Sequence, residues 1–222
     1  MSKFKPVLGV AAAVAVVAVA VTACGSKDSG APTTTTAPAA STAPATMAGM
    51  NASGMGVTTA SEVFGPNCKD LPQGDTAGGL TAMGTQPVAT AASTNPLLTK
   101  LVAAITAIPG LADTLNTTDN LTVFAPADAA FTALGDAKFK ELAANPKELA
   151  PVLQYHVLPK RYDRDGLVKA GKVQSLDTAG GDITIAGTGD DITVDGAKVL
   201  CGNIPTRNAT VFVIDKVLTP KA

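Results

Sequence analysis

Apolar and polar positions divide this chain into three regions. Residues 7–21 form an almost unbroken apolar run, residues 25–59 contain almost no bulky apolar side chain, and apolar residues recur at regular spacings from about Val63 onward. A segment as poor in bulky apolar residues as 25–59 cannot bury enough surface to offset its ordering entropy. We therefore predict a disordered tether rich in Ala, Pro and Thr over residues 24–62, followed by a folded region.

The first clear helical pattern lies near the start of the folded region. Leu97, Leu101 and Ile105 recur at helical spacing, which predicts a helix over residues 96–108 with Pro96 in its first turn. The preceding segment, residues 74–96, consists mostly of small residues. It is expected to be a loose approach to that helix.

Further along the chain, helical patterns give way to strand patterns. The expected elements are a strand at 121–125, a short helix presenting Phe131 and Leu134, helices at 138–144 and 147–157, and strands at 182–185, 191–194 and 211–217. Asp128 is expected to accept backbone N–H groups in the first turn of its own short helix. The repeated "DITI" and "DITV" around a Gly-rich turn predict a hairpin, and the last strand is expected to be largely buried. Together these elements predict an α+β domain.

The N-terminal region has the layout of an export signal. Lys3 and Lys5 precede the apolar run, which is somewhat shorter than the about 20 apolar residues of a membrane span. The run ends in "VTAC", which resembles the lipobox of bacterial lipoproteins, where cleavage leaves a diacylglyceryl-modified cysteine as the first residue. By this resemblance, residues 1–23 are a lipoprotein signal peptide and Cys24 is the lipid attachment site. An uncleaved transmembrane anchor is the alternative.

A lipid on Cys24 would determine where the protein works. Acyl chains such as palmitate contribute about 0.8 kcal/mol per buried CH₂, so two or three chains hold a protein on a membrane stably. We expect a cell-surface protein, lipid-anchored on the extracellular face of the cell membrane. In the tether, the threonine run between prolines is a candidate O-glycosylation site, with an unmodified spacer as the alternative. Its members are Thr33, Thr34, Thr35 and Thr36.

The remaining two cysteines, Cys68 and Cys201, lie far apart in the sequence. In an exported protein such a pair most often forms a disulfide, and closing so long a loop would remove about 4 to 5 kcal/mol of unfolded-state entropy. Two separate buried thiols are the alternative.

Composition narrows the function. The 222 residues, 46% of them hydrophobic, suffice for one medium-sized domain, and 17 basic against 18 acidic residues without a long basic run exclude a nucleic-acid partner. His156 is the single histidine, and no metal-ligand spacing or Gly-x-Ser-x-Gly motif occurs. Met47, Met50 and Met55 are interpreted as incidental tether residues. We therefore expect no metal, no cofactor and no enzymatic activity.

Three motifs in the folded region resemble one known family. "LTVFAPADAAFTAL" (121–134) resembles the first signature box of the fasciclin-like domain, "YHVLP" (155–159) its Tyr-His motif, and "ATVFVIDKVLTP" (209–220) its second box. With the lipobox, the tether and a cysteine before the domain, the chain looks closest to single-fasciclin-domain surface lipoprotein antigens of mycobacteria and related actinobacteria. The resemblance implies a wedge-shaped β-sandwich with helices packed around it over residues 85–220, preceded by a lead-in segment at 63–84 that carries Cys68.

The resemblance also implies a function. In some family members the Tyr-His region takes part in adhesion, which makes Tyr155 and His156 candidate interaction residues. From its position at the end of an apolar helix, the imidazole is expected to satisfy backbone groups inside the domain. The leading hypothesis is a non-enzymatic adhesion or protein-binding module for a host or extracellular-matrix protein. The alternative is carriage of an apolar small molecule or cell-envelope lipid between the helices and the sheet.

Overall fold

The computed structural model of this chain describes residues 56–221. The predicted signal peptide, Cys24, the candidate glycosylation sites Thr33–Thr36 and most of the predicted tether lie outside the described residues. The last residues of the predicted tether, 56–62, are described and contact the domain. Thr210 donates its hydroxyl to the carbonyl oxygen of Gly56 at 2.6 Å, and Ala60–Glu62 forms a 3₁₀ helix.

The described residues begin with four helices, continue with a mixture of strands and helices, and end in five strands. The α-helices are α1 (Leu80–Thr85), α2 (Val88–Thr94), α3 (Thr99–Thr106), α4 (Leu111–Thr117), α5 (Asp128–Leu134), α6 (Asp136–Ala144), α7 (Pro146–Tyr155) and α8 (Arg164–Ala170). The strands are β1 (Leu121–Pro126), β2 (Val157–Leu158), β3 (Lys172–Val173), β4 (Ile183–Thr188), β5 (Asp191–Val194), β6 (Ala197–Pro205) and β7 (Ala209–Ile214). The predicted hairpin is confirmed, because β4 and β5 pair antiparallel through Thr188 and Asp191.

The seven strands form one mixed sheet in the order β2-β1-β7-β6-β5-β4-β3. Strands β1 and β7 run parallel, with Leu121 opposite Ala209 and Pro126 opposite Ile214, and the other neighbours are antiparallel. The two signature motifs therefore lie side by side at the centre of the fold. Strand β6 pairs with β5 at its start and with β7 further along, with two register shifts between Val199 and Ile204.

Both faces of the central strands are buried. Val123 and Val211 point into a cluster with helices α1 to α5 and α7, whereas Phe124 and Phe212 point into a second cluster with β4, β5 and α8. A strand covered on both sides is continuously hydrophobic rather than alternating, which explains the weak alternation in the sequence of β7. The second cluster lies between strands β1 and β7 and strands β4 and β5. The predicted α+β sandwich with surrounding helices is confirmed.

The predicted helix at 96–108 is shorter than expected and begins later. The side chain of Asn95 accepts the backbone N–H of Leu97 at 2.9 Å, so Pro96 lies in a turn before α3. The first turn of α3 is capped from another element, because the carboxylate of Asp128 accepts the N–H of Lys100 at 2.8 Å and the hydroxyl of Thr99. The prediction that Asp128 caps its own helix is therefore wrong.

The segment predicted as a loose approach instead forms helices α1 and α2. Asparagine side chains from distant parts of the chain cap the start of α2: Asn208 accepts the N–H of Val88 at 2.9 Å, and Asn116 accepts that of Ala89 at 3.0 Å. Such caps stabilise a helix by about 1 kcal/mol each. Leu80, Met83 and Val88 add buried apolar contacts, so tertiary packing compensates for the weak helical pattern.

Candidate functional site

The imidazole of His156 lies inside the domain just after α7. Its side chain is 2% exposed. Because the backbone N–H of Leu218 donates to Nε2 at 2.9 Å, the ring proton lies on Nδ1 and is donated to the carbonyl oxygen of Val152 at 2.7 Å. Burial lowers the pKa of His156 to about 4, partly opposed by the hydrogen bond to Val152. The expectation that the imidazole satisfies backbone groups is confirmed.

Tyr155 lies next to His156 but points to the other side of the sheet layer. Its ring belongs to the cluster that contains Phe124 and Phe212, and its hydroxyl donates to the carboxylate of Asp195 at 2.8 Å. Burial and this carboxylate raise the pKa of Tyr155 well above its usual range. Asp195 also accepts Lys221 Nζ at 2.7 Å, and these hydrogen bonds lower the pKa of Asp195 although partial burial opposes them.

The two candidate interaction residues are thus placed in the interior. Both Tyr155 and His156 are buried, and their polar atoms are paired within the domain. Their role in partner contact stays a prediction, and a partner would need access to the interior to touch either side chain. Their geometry supports a structural role, since together they link the end of α7 to the C-terminal segment.

An apolar cavity of about 90 Å³ lies on the helical side of β1, next to His156. Its walls include Leu101, Ile105, Leu115, Val123 and Leu153, with the imidazole of His156 among the lining groups. Thr114, Thr118, Gln154 and Leu176 also line it, and these residues are exposed. None of the lining residues is charged. The cavity can therefore accept an uncharged apolar group from solvent.

A larger, polar cleft of about 530 Å³ lies at the charged segment 160–165, which follows the Tyr-His motif. Glu62, Asp163, Asp165 and Asp190 supply carboxylates to its lining, against the single guanidinium of Arg164. Arg164 bonds to Asp165 and Asp190 at 3.0 Å each. The cleft therefore presents an excess of negative charge to solvent.

Arg161, in the same charged segment, has a different role. It is 8% exposed, and its guanidinium donates to the carbonyl oxygens of Thr206 and Ala209 and to the hydroxyl of Thr210. Burial lowers its pKa. These bonds fix the turn between β6 and β7, so Arg161 is a structural residue and the exposed charges of the segment lie elsewhere.

The predicted disulfide between Cys68 and Cys201 is confirmed. It ties the segment before α1 to β6, and beside it Phe64 and Gly202 exchange backbone hydrogen bonds of 3.2 and 2.8 Å. A Cβ at Gly202 would lie 2.5 Å from the ring of Phe64, so glycine permits this close approach. The lead-in segment is thereby fastened to the sheet.

Part of the apolar cavity's lining lies in the sequence motifs, with Val123 in the first box and His156 in the Tyr-His motif, but the motifs did not indicate a cavity. The exposed lining of the apolar cavity comes from α4, α7 and the loop after β3, and the polar cleft combines residues that are far apart in the chain. At the exposed edge of the apolar cavity, the one local signal is Leu176, a bulky apolar residue within a polar loop. Among residues 56–221, no cluster of His, Cys, Asp and Glu suits a metal ion. In that same part of the chain, no helix combines the length and apolar character needed to cross a bilayer.

Comparison with known proteins identifies the family. The fasciclin domain model matches residues 96–220. Immunogenic protein MPB70 of Mycobacterium bovis is 38% identical over 169 residues, which cover 73% of this chain and 85% of the relative. Cell surface glycolipoprotein MPB83 of the same species is 41% identical over 154 residues, 65% of this chain and 66% of the relative.

A solved structure supports the fold independently. A FAS1 domain pair from the insect cell adhesion molecule Fasciclin I superimposes with a TM-score of 0.52 and 18% identity, over 60% of this chain and 51% of that one. The fold agrees with the matched residues, because the two signature motifs lie side by side in β1 and β7 with helices around them. This chain belongs to the fasciclin domain family.

Proposed function

We propose that this chain is a lipid-anchored cell-surface protein whose fasciclin domain acts as a non-enzymatic adhesion or protein-binding module. Family membership carries this proposal, because the matched relatives include proteins named as an immunogenic protein and a cell surface glycolipoprotein. The lipobox sequence ending in Cys24 supports the lipid anchor. The threonine run of the tether remains the proposed place of O-glycosylation.

The chemistry of the described residues supports a binding role rather than catalysis. The single histidine uses both ring nitrogens in hydrogen bonds to the backbone, and its low pKa keeps it neutral near pH 7. A general base must reach a substrate proton, and His156 is committed elsewhere.

We place the partner contact at the polar cleft. Glu62, Asp163, Asp165 and Asp190 surround one arginine there, so the cleft complements a basic segment of a host or extracellular-matrix protein. Binding through such charges is faster at low ionic strength and weakens with added salt.

Charge reversal tests this contact. Asp165→Lys and Asp190→Lys change exposed side chains and are expected to reduce binding to cells or matrix protein at least about tenfold when combined. Glu141→Lys combined with Glu148→Lys, exposed changes on α6 and α7 that together alter the charge by the same amount, is the matched control. Equal loss in the control, or no loss in the double variant, would exclude the cleft as the contact surface.

The lipid anchor has a separate test. Replacing Cys24 by serine is expected to move the protein from the membrane fraction to the soluble fraction, and the mass of the parent should exceed that of the cleaved chain by its acyl groups. A parent protein that retains its first methionine and carries no lipid would contradict the anchor.

Carriage of an apolar small molecule or cell-envelope lipid is the second candidate function. The observation in its favour is the uncharged cavity beside His156, which has exposed residues at its edge. Native mass spectrometry of protein purified without detergent tests it. A bound apolar molecule is the expected result, and a clean protein mass together with failure to take up added apolar probes would exclude it.

A further inference from the structure

The apolar cavity is narrow for a complete small-molecule ligand. Its volume of about 90 Å³ is well below the roughly 300 to 1,000 Å³ of typical ligand pockets and below the roughly 150 Å³ of a dry cavity that binds benzene. A short length of alkyl chain is the kind of apolar group that fits such a space. The rest of the ligand must then remain outside the cavity.

A second, smaller cavity adjoins the first. It measures about 20 Å³ and shares Leu101, Ile105, Leu115 and Val123 with the first cavity as a common wall. Met83 lines the second cavity and not the first. Small rotations of the shared aliphatic side chains would join the two spaces, and methionine adapts readily to a changed outline. Once joined, the two spaces would hold a longer segment than the first cavity alone, which suits a linear chain better than a ring system.

The mouth of the first cavity continues the apolar path onto the surface. Leu176 lines it and is 41% exposed, one of the two large hydrophobic side chains found exposed within residues 56–221. Its position is fixed, because its backbone N–H donates to the carbonyl oxygen of Val157 at 2.7 Å. An alkyl chain leaving the cavity can lie against this leucine.

The rim of the mouth determines which head group fits. Thr114, Thr118 and Gln154 offer uncharged hydrogen-bonding groups to solvent. The residues next to the rim in sequence include three carboxylates, Asp113, Asp119 and Asp177. Phosphate or carboxylate head groups would be repelled there, whereas hydroxyl groups can bond to the rim.

We infer that the cavity binds the end of one acyl chain of a lipid with an uncharged, hydroxyl-bearing head group, which remains at the rim of Thr114, Thr118 and Gln154. This assignment rests on the second proposed function and names its ligand class. The adhesion surface at the polar cleft involves none of these residues.

Mono-octanoyl glycerol and octyl phosphate are suitable probes, since both carry an eight-carbon chain and their head groups differ in charge. Because His156 is the only histidine and lines the cavity, the NMR signal of its ring reports occupancy directly. We expect a saturable shift with mono-octanoyl glycerol. Octyl phosphate is expected to bind at least about tenfold more weakly.

A blocked variant tests the location. Thr114→Trp places a large ring at the mouth and is expected to reduce affinity about tenfold or more, the loss that corresponds to about two methylenes left unburied. Thr81→Trp, an exposed change on α1 outside the lining of both cavities, should bind like the parent.

Each outcome decides one part of the inference. Equal binding of both probes would overturn the head-group assignment, and unchanged affinity in Thr114→Trp would overturn the location. Uptake of benzene without mono-octanoyl glycerol would leave apolar carriage standing and overturn the acyl-chain assignment. No shift with any of the probes would overturn both the acyl-chain assignment and apolar carriage.

Discussion

Acidification should destabilise this domain through His156. The unfolded imidazole titrates near 6.5, whereas burial lowers the folded pKa to about 4. The unfolded chain therefore takes up the proton first as the pH falls. Stability is highest above about pH 6.5 and is lost as the pH falls toward about 4, below which both states carry the proton.

The size of this effect follows from the separation of the two pKa values. Each unit corresponds to about 1.4 kcal/mol, so the separation predicts a loss of about 3 kcal/mol across the window. The geometry gives the cause. A proton on Nε2 would face the N–H of Leu218 at 2.9 Å, so that two donors would point at each other. The hydrogen bond that holds the C-terminal segment would therefore break.

Urea unfolding at several pH values tests this prediction, with His156→Gln as the variant that cannot titrate. The variant should be less stable at neutral pH, and its free energy of unfolding should approach that of the parent as the pH falls, because the carboxyl groups titrate alike in both proteins. The single imidazole signal should titrate near pH 4 in the folded protein. A midpoint near 6.5, or parallel stability curves, would refute the reasoning.

Three further variants have defined expectations, each measured by urea unfolding. Replacing Cys68 and Cys201 together by serine should lower the free energy of unfolding by about 4 to 5 kcal/mol, because the unfolded chain gains loop entropy. Tyr155→Phe removes the hydrogen bond to Asp195 and should cost about 1 to 2 kcal/mol. Asp128→Ala removes the cap of α3 and should cost about as much.

Matched controls separate these effects from general sensitivity to mutation. Tyr162→Phe removes a hydroxyl from a partly exposed ring, and Asp75→Ala removes an exposed carboxylate outside the helices and strands. Both should unfold at the same urea concentration as the parent. A loss in these controls equal to that in Tyr155→Phe and Asp128→Ala would show that the hydrogen bonds are not the cause, and an unchanged midpoint in the serine double variant would contradict the disulfide estimate.

Elements with strong local patterns were predictable from the sequence. The hairpin of β4 and β5 follows from a repeated strand motif and a glycine turn, and β7 follows from a run of branched apolar residues. Helices α1 and α2 were missed because their support is distant in the chain. Asn116 and Asn208 cap α2 from other elements, and no local window of sequence contains both the helix and its caps.

The candidate sites show the same division between local and distant information. The disulfide was predictable, because only Cys68 and Cys201 remain once Cys24 is assigned to the lipid. In a protein predicted to be exported, such a pair most often forms a disulfide. The cavity was not, because it is a gap between helices whose size depends on how their side chains pack. The burial of His156 was expected, whereas the bond from Leu218, 62 residues away, could be found only in the structure.

The imidazole of His156 couples binding of the proposed ligand to the effect of pH on the domain. His156 uses its nitrogens for Val152 and Leu218, and its ring lines the apolar cavity. An alkyl chain in that cavity would exclude water from the ring and disfavour its charged form further. By linkage, saturating mono-octanoyl glycerol should move the imidazole midpoint below about 4, and protonation should weaken binding by the same factor. An unchanged midpoint at saturation would mean that the bound chain lies elsewhere.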